Sequence, residues 1–205
     1  MSMRHNILLI GDSNFLISHE SNSGQKISVG KLLESKSTNM HTLNIKNIST
    51  WGATLFDFYN TYIVKGPIPN LGIQTIVVGF GTNDSNYYYS LNSNLCSSEL
   101  HFALLNNMIE ILFASSETLE RILMVPVPPV LIKSDEKRNI KINKCIEDFN
   151  KMRQKIAQDN RRKVLYANEI RYEQSKHLIK DGYHLNACGI IHLANGILGH
   201  LSGTY

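Results

Sequence analysis

Several things are scarce or missing in this chain. Its apolar runs are short: the one from Ile7 to Ile10 spans four residues, against the roughly 20 that a membrane helix needs and the roughly 7 to 15 of a signal-peptide core. No membrane span or export signal is therefore expected, and a cytoplasmic setting is inferred from that absence. The three cysteines, Cys96, Cys145 and Cys188, form no CxxC pair, and their odd number fits reduced thiols acting as small buried hydrophobes better than a disulfide framework. An excess of one charge is also lacking. Lys and Arg number 21 against 17 Asp and Glu, a net +4, and they are scattered, so nucleic acid is not implied as a partner. Internal repeats, linkers and low-complexity tracts are absent.

What remains is the composition of a globule: 205 residues, 42% apolar and 19% charged, enough for a single domain over 1–205 with a proper core. Residues 6–10 read as a fully apolar strand that stops at Gly11, and segments 41–48, 75–80, 121–127 and 163–166 behave similarly. Strands apolar on both faces belong to sheets covered on both sides. Between them, apolar residues recur at helical spacing over 25–35, 97–115 and 139–158, and a last helix is expected over about 187–201. Strands alternating with helices predict a three-layer α/β/α sandwich around a mostly parallel five-stranded sheet. The Asn-rich stretch 83–94 and the charged stretch 133–144 read as loops.

Ligands of such sheets bind beyond the carboxyl ends of the strands. Four places qualify. Gly11-Asp12-Ser13-Asn14 follows the first strand; a serine there would have backbone N–H groups nearby to hold negative charge. The tripeptide alone is more simply a helix cap. Asp181-Gly182-Tyr183-His184-Leu185-Asn186 precedes the last helix. An Asp three residues before a His can hold one ring nitrogen and leave the other facing a nucleophile. Gly81-Thr82-Asn83-Asp84 follows the strand at 75–80, and the Asn83 amide could donate to a developing oxyanion. With 21 Asn in the chain, Asn83 counts only by position. Trp51-Gly52-Ala53 follows the second strand, where a glycine N–H could approach a substrate oxygen. A dinucleotide reading of Gly79 and Gly81 lacks its third glycine, and a Tyr87-Tyr88-Tyr89 loop is expected where a helix should open. A metal site on Asp181 and His184 lacks further ligands in comparable positions.

Taken in order, GDSN at 11–14, Gly52, GTND at 81–84 and DGYHLN at 181–186 resemble the sequence blocks of the SGNH hydrolases, also called the GDSL esterase and lipase family. The resemblance spans nearly the whole chain. It implies a flavodoxin-like fold, Ser13 as nucleophile with Asp181 and His184 completing a triad, and an oxyanion hole from the Ser13 and Gly52 N–H groups and the Asn83 side chain. It implies an ester hydrolase acting on a small-molecule or glycan ester and needing no metal or cofactor; at 205 residues there is no room for a large lid domain, which favours an open site and small acyl groups such as acetyl. Two departures stand out: Asn14 where Leu is usual, and surroundings of Gly52 that match only loosely. Asp12 and Asp84 read as supports of their loops, and Pro126, Pro128 and Pro129 as part of a pocket wall. An O-acyltransferase would use the same residues, and a carbohydrate-binding or scaffold domain could keep the fold without catalysis. Oligomeric state is not legible.

Overall fold

The computed structural model describes residues 3–20, 24–37, 41–66, 72–90, 98–160 and 163–202. In chain order its strands are β1 (Met3–Gly11), β2 (His19–Glu20), β3 (Lys26–Ile27), β4 (His41–Asn47), β5 (Thr75–Gly79), β6 (Arg121–Met124) and β7 (Val164–Tyr166). The helices are α1 (Val29–Glu34), α2 (Leu55–Phe58), α3 (Thr82–Ser90), α4 (Ser98–Ser115), α5 (Glu136–Asp159), α6 (Gln174–His177) and α7 (Ala187–Ser202). Five strands form one parallel sheet in the order β4-β1-β5-β6-β7, and β2 and β3 pair as a small antiparallel hairpin.

Successive residues of a strand face opposite sides, so a strand apolar throughout must be covered twice. That is what β1 meets. Ile7 and Leu9 join Val77 and Leu123 in a core roofed by α1 and α7, with Val29, Leu33, Ile190 and Leu193 buried there. Leu8 and Ile10 join Ile76, Val78, Ile122 and Met124 in a second core under α2, α4 and α5. The result is the expected α/β/α sandwich. From β1 the chain moves outward to β4, then crosses back to β5 on β1's other side, so a crevice opens at the carboxyl ends of β1 and β5.

Several local expectations change. Residues 82–90 are helix α3, not loop. Among its described side chains those buried are Thr82, Asp84 and Ser85, all polar; residues 91–94 of the stretch lie outside the described residues. The charged stretch holds the start of α5, where Asp135 accepts the Arg138 N–H at 2.9 Å as a cap. Helix α1 begins only at Val29, after a Ser28 cap, because Lys26 and Ile27 pair with β2. Helix α2 was not anticipated, although Thr54 and Asp57 form a reciprocal capping box. It runs on into a π-helical turn, Tyr59–Val64. Neither Cys145 nor Cys188 is in a disulfide; Cys188 is exposed and so not the buried hydrophobe expected, whereas Cys145 is partly buried and packs against the small core of Val127, Val130, Ile142, Ile146 and Phe149, and Cys96 lies outside the described residues. No helix among the described residues is long and apolar enough to cross a membrane.

Candidate active site

Ser13 opens a single 3-10 turn, Ser13–Phe15, directly after β1. Asp12 caps it by accepting the Asn14 N–H at 2.9 Å, and the Asp12 N–H bonds the Gly79 carbonyl at 3.2 Å. A side chain on Gly11 would lie 2.6 Å from that carbonyl and 2.8 Å from the Phe15 ring. Glycine is thus demanded by the close approach of β1, β5 and Phe15, not by a turn. Asp12 is buried, and that burial pushes its carboxyl up to about 6, with the Asn14 N–H opposing and the Asp84 charge assisting. Below lies Arg153, also fully buried, whose guanidinium donates to the carbonyls of Val125 and Phe80 and clamps the ends of β6 and β5 together. Asp84 accepts the Leu55 N–H at 3.0 Å. Asp12 and Asp84 therefore support loops, as expected.

The opposite partner comes from the segment ahead of α7. Leu178 and Leu185 form an isolated antiparallel bridge, flanked by bonds from Ile179 N–H to the His184 carbonyl (2.9 Å) and Asn186 N–H to the His177 carbonyl (2.8 Å). The intervening turn needs Gly182: its φ is +76°, and a Cβ would sit 2.0 Å from the Leu131 carbonyl oxygen. Asn186 ends the motif by accepting the Gly189 N–H at 2.9 Å, capping α7. Within this frame Asp181 accepts the N–H groups of Tyr183 (2.8 Å) and His184 (3.1 Å) through one oxygen and meets His184 Nδ1 at 2.6 Å through the other. His184 Nε2 lies 3.0 Å from Ser13 Oγ. Burial alone would raise the Asp181 carboxyl, but these hydrogen bonds outweigh it and hold the carboxyl below its ordinary value. Ser13, His184 and Asp181 thus stand in one hydrogen-bonded chain, although 171 residues separate the first two.

The turn that holds Gly52 is joined to Asn83 beside it. The turn Thr50–Ala53 is pinned to β1 by the Thr50 N–H on the Gly11 carbonyl (3.1 Å) and closed by Ala53 N–H on the Thr50 carbonyl (3.3 Å). Asn83, the second residue of α3, donates its amide to the Ala53 carbonyl at 3.1 Å. An amide nitrogen carries two hydrogens, so Asn83 keeps another to donate. The space around the Gly52 α-carbon is open. Helix α3 does open after Gly81, so the dinucleotide reading now fails on the missing third glycine alone. Among the described residues no group of three or more His, Cys, Asp or Glu could hold a metal ion.

Three contributions escaped the sequence reading. Asn14, noted only as a departure from Leu, accepts the Leu185 N–H at 3.0 Å and so ties the Ser13 turn to the His184 segment. Trp51 sets its ring against His184, centroids 5.8 Å apart in an edge-on arrangement. The third is a ladder of asparagines on α5. Asn150 and Asn143 each exchange two hydrogen bonds with the backbone N–H and C=O of one residue, Val127 and Val130 respectively, and Asn139 accepts the Ile132 N–H at 2.8 Å. Held from that side, the segment 127–132 bonds Gly182 from the other, through Leu131 N–H to the Gly182 carbonyl at 2.8 Å. The spacing 139, 143, 150 on one helix face was the available signal. Pro126 and Pro129 line a groove of about 760 Å³ beside this ladder; Ser13 and His184 are not among its lining residues.

No protein-family model matches the chain, and no curated protein matches its sequence. Solved structures do match its shape. A lipase/acylhydrolase from Enterococcus faecalis superposes with a TM-score of 0.69 at 20% identity, over 97% of this chain and 96% of the other. An acetylxylan esterase from Geobacillus stearothermophilus, in a catalytic variant, gives 0.70 at 14% identity over 98% and 96%. A carbohydrate acetylesterase from Sinorhizobium meliloti gives 0.67 at 13% identity over 98% and 100%. The chain therefore has the α/β fold of these esterase and acylhydrolase structures, with five parallel strands between helical layers.

Proposed function

We propose that the protein is a serine esterase that cleaves a small acyl ester through an acyl-enzyme. The observation that carries this reading is the continuous hydrogen-bonded chain from Asp181 through His184 to Ser13. His184 Nε2 takes the Ser13 proton as Oγ attacks the ester carbonyl, and the negative charge that develops on the carbonyl oxygen is met by the N–H groups of Ser13 and Gly52 and the Asn83 amide. Collapse of the tetrahedral adduct breaks the ester C–O bond. The proton on His184 goes to the departing alcohol, and water, deprotonated by His184, then releases the acid. Asp181 fixes the tautomer and steadies the imidazolium.

The void beside the Ser13 turn, lined by Asp12, Asn14 and Phe15 among others, is about 10 Å³, less than a water molecule fills comfortably, so it offers no room for an acyl chain. The solved structures described as acetylesterases support acetyl as the acyl group. We read the chain as one such domain, since those structures align over 96% or more of it. A cytoplasmic setting agrees with Cys145 and Cys188 standing outside any disulfide.

The test is a series of p-nitrophenyl esters of rising chain length with the wild type and Ser13→Ala. Acetate should be hydrolysed fastest, with turnover in the variant reduced by about 10³-fold or more. Wild-type activity in the variant removes Ser13 from the mechanism, a preference for long chains removes the acetyl assignment, and inactivity of both proteins favours a non-catalytic domain.

A further inference from the structure

Trp51 is the chain's one tryptophan and is 60% exposed. A single exposed apolar side chain usually needs no explanation. Its setting does. The backbone that carries it is fixed at both ends, to the Gly11 carbonyl through Thr50 and to Asn83 through the Ala53 carbonyl, so the turn that bears the indole is anchored beside the site. One edge of the ring system meets His184, itself 28% exposed at the side chain. Gly52, next in sequence, adds no side chain and leaves open space toward the same mouth. The rigid indole surface thus stands beside the reacting atoms.

Its neighbours decide what would cover it. Thr50 is exposed, Gly52 bare, and the Asp181 side chain 40% exposed. An acyl chain would need a continuous apolar patch, whereas these neighbours are polar or empty. A pyranose ring answers both demands: its C–H face covers an aromatic plane while its ring of hydroxyl and acetyl oxygens stays among polar groups. Resting on the esterase reading above, we propose that Trp51 is the stacking platform for the sugar ring of an acetylated pyranoside, placing the acetyl ester over Ser13. The alcohol half of the substrate is then read by Trp51 and the acyl half by the oxyanion donors. A stacked ring also fixes the ester's orientation without a deep pocket, which suits an open mouth.

Because Trp51 is the only tryptophan, its fluorescence reports its own surroundings. In Ser13→Ala protein, titration with peracetylated methyl β-xylopyranoside should give a saturable change in emission, and acyclic glycerol triacetate at equal concentration should give none. Equal responses to both, or no response to the pyranoside, overturn the proposal. In kinetics, Trp51→Ala should raise KM for the pyranoside about tenfold more than for glycerol triacetate, a difference of about 1.4 kcal/mol, with kcat for the two changing by the same small factor. An equal fall in kcat on both esters, with KM unmoved, would instead make Trp51 a support for His184. Failure of the esterase reading looks different: the wild type would hydrolyse neither ester, whatever the fluorescence titration shows.

Discussion

Ser13 and His184 approach to 3.0 Å, yet the segments that bring them together are secured by opposite means. The Ser13 turn is packed: Asp12, Ser13, Asn14 and Phe15 are all buried, Phe15 lies against two glycines, and Arg153 draws the strand ends together beneath. The Asp181–His184 segment is only partly buried and is secured by backbone hydrogen bonds, first within its own bridge and then to a loop that borrows its rigidity from asparagines on α5. The two carboxyls record the difference. Burial lifts Asp12 to about 6, whereas donors at Asp181 prevail over burial and pull it below the usual range. A site can therefore take precision from sterics on one side and from hydrogen bonding on the other, with Asn14 as the strut between them.

The comparison breaks most severely where the exposed side has no slack. Asp181→Asn keeps the shape of the turn but can present the wrong tautomer of His184, and kcat should fall about 10²- to 10⁴-fold with little change in KM. Gly182→Ala forces a Cβ onto the Leu131 carbonyl and should shift the base by enough to cost about 10²-fold in kcat, with a lower Tm. Steady-state kinetics and calorimetry check both. If Gly182→Ala proves as active as the wild type, the segment is not fixed by its backbone.

The carboxyls sharpen the comparison through pH. Asp12 has its folded value, about 6, above its ordinary 3.8, so the native state holds the extra proton and the associated stability is complete below 3.8 and lost as pH rises through 6. On the order of 3 kcal/mol is involved. Asp181 has the opposite sign: its contribution is present above 3.8 and disappears as pH falls through its lowered folded value. Denaturant unfolding between pH 4 and 7 should show the Asp12 slope, and Asp12→Asn should flatten it. A slope unchanged in that variant contradicts the burial argument.

The mildest change expected is at the strut. Asn14→Leu restores the residue usual in the resembled family but strips the buried Leu185 N–H of its acceptor, at a cost of about 1–3 kcal/mol in stability. Chemical denaturation measures this directly.

How much of this was legible follows from the same physics. The central strand β1 could be read because burial on both faces leaves the run Ile7 to Ile10 with no polar residue, whereas the edge strand β4, HTLNIKN, shows itself only by its Leu43 and Ile45. Helix α3 could not, since the side chains it is described to bury, Thr82, Asp84 and Ser85, are polar. Asp181 and His184 were legible as a local pair, because three residues of separation in a turn suffice to join them. Asn83 was singled out by position alone. The asparagine ladder stayed hidden in a chain with 21 Asn, because an amide reveals its role only when the peptide it meets is known. Trp51 was hidden for a related reason, as its partner His184 arrives from the far end of the chain.

Covalent capture of the nucleophile tests the central claim most directly. Incubated with a fluorophosphonate probe and digested for mass spectrometry, the wild type should carry one adduct per chain, on Ser13, with labelling slowed by His184→Ala and abolished by Ser13→Ala. An adduct on another residue, or none while the folded state is intact, would contradict the account.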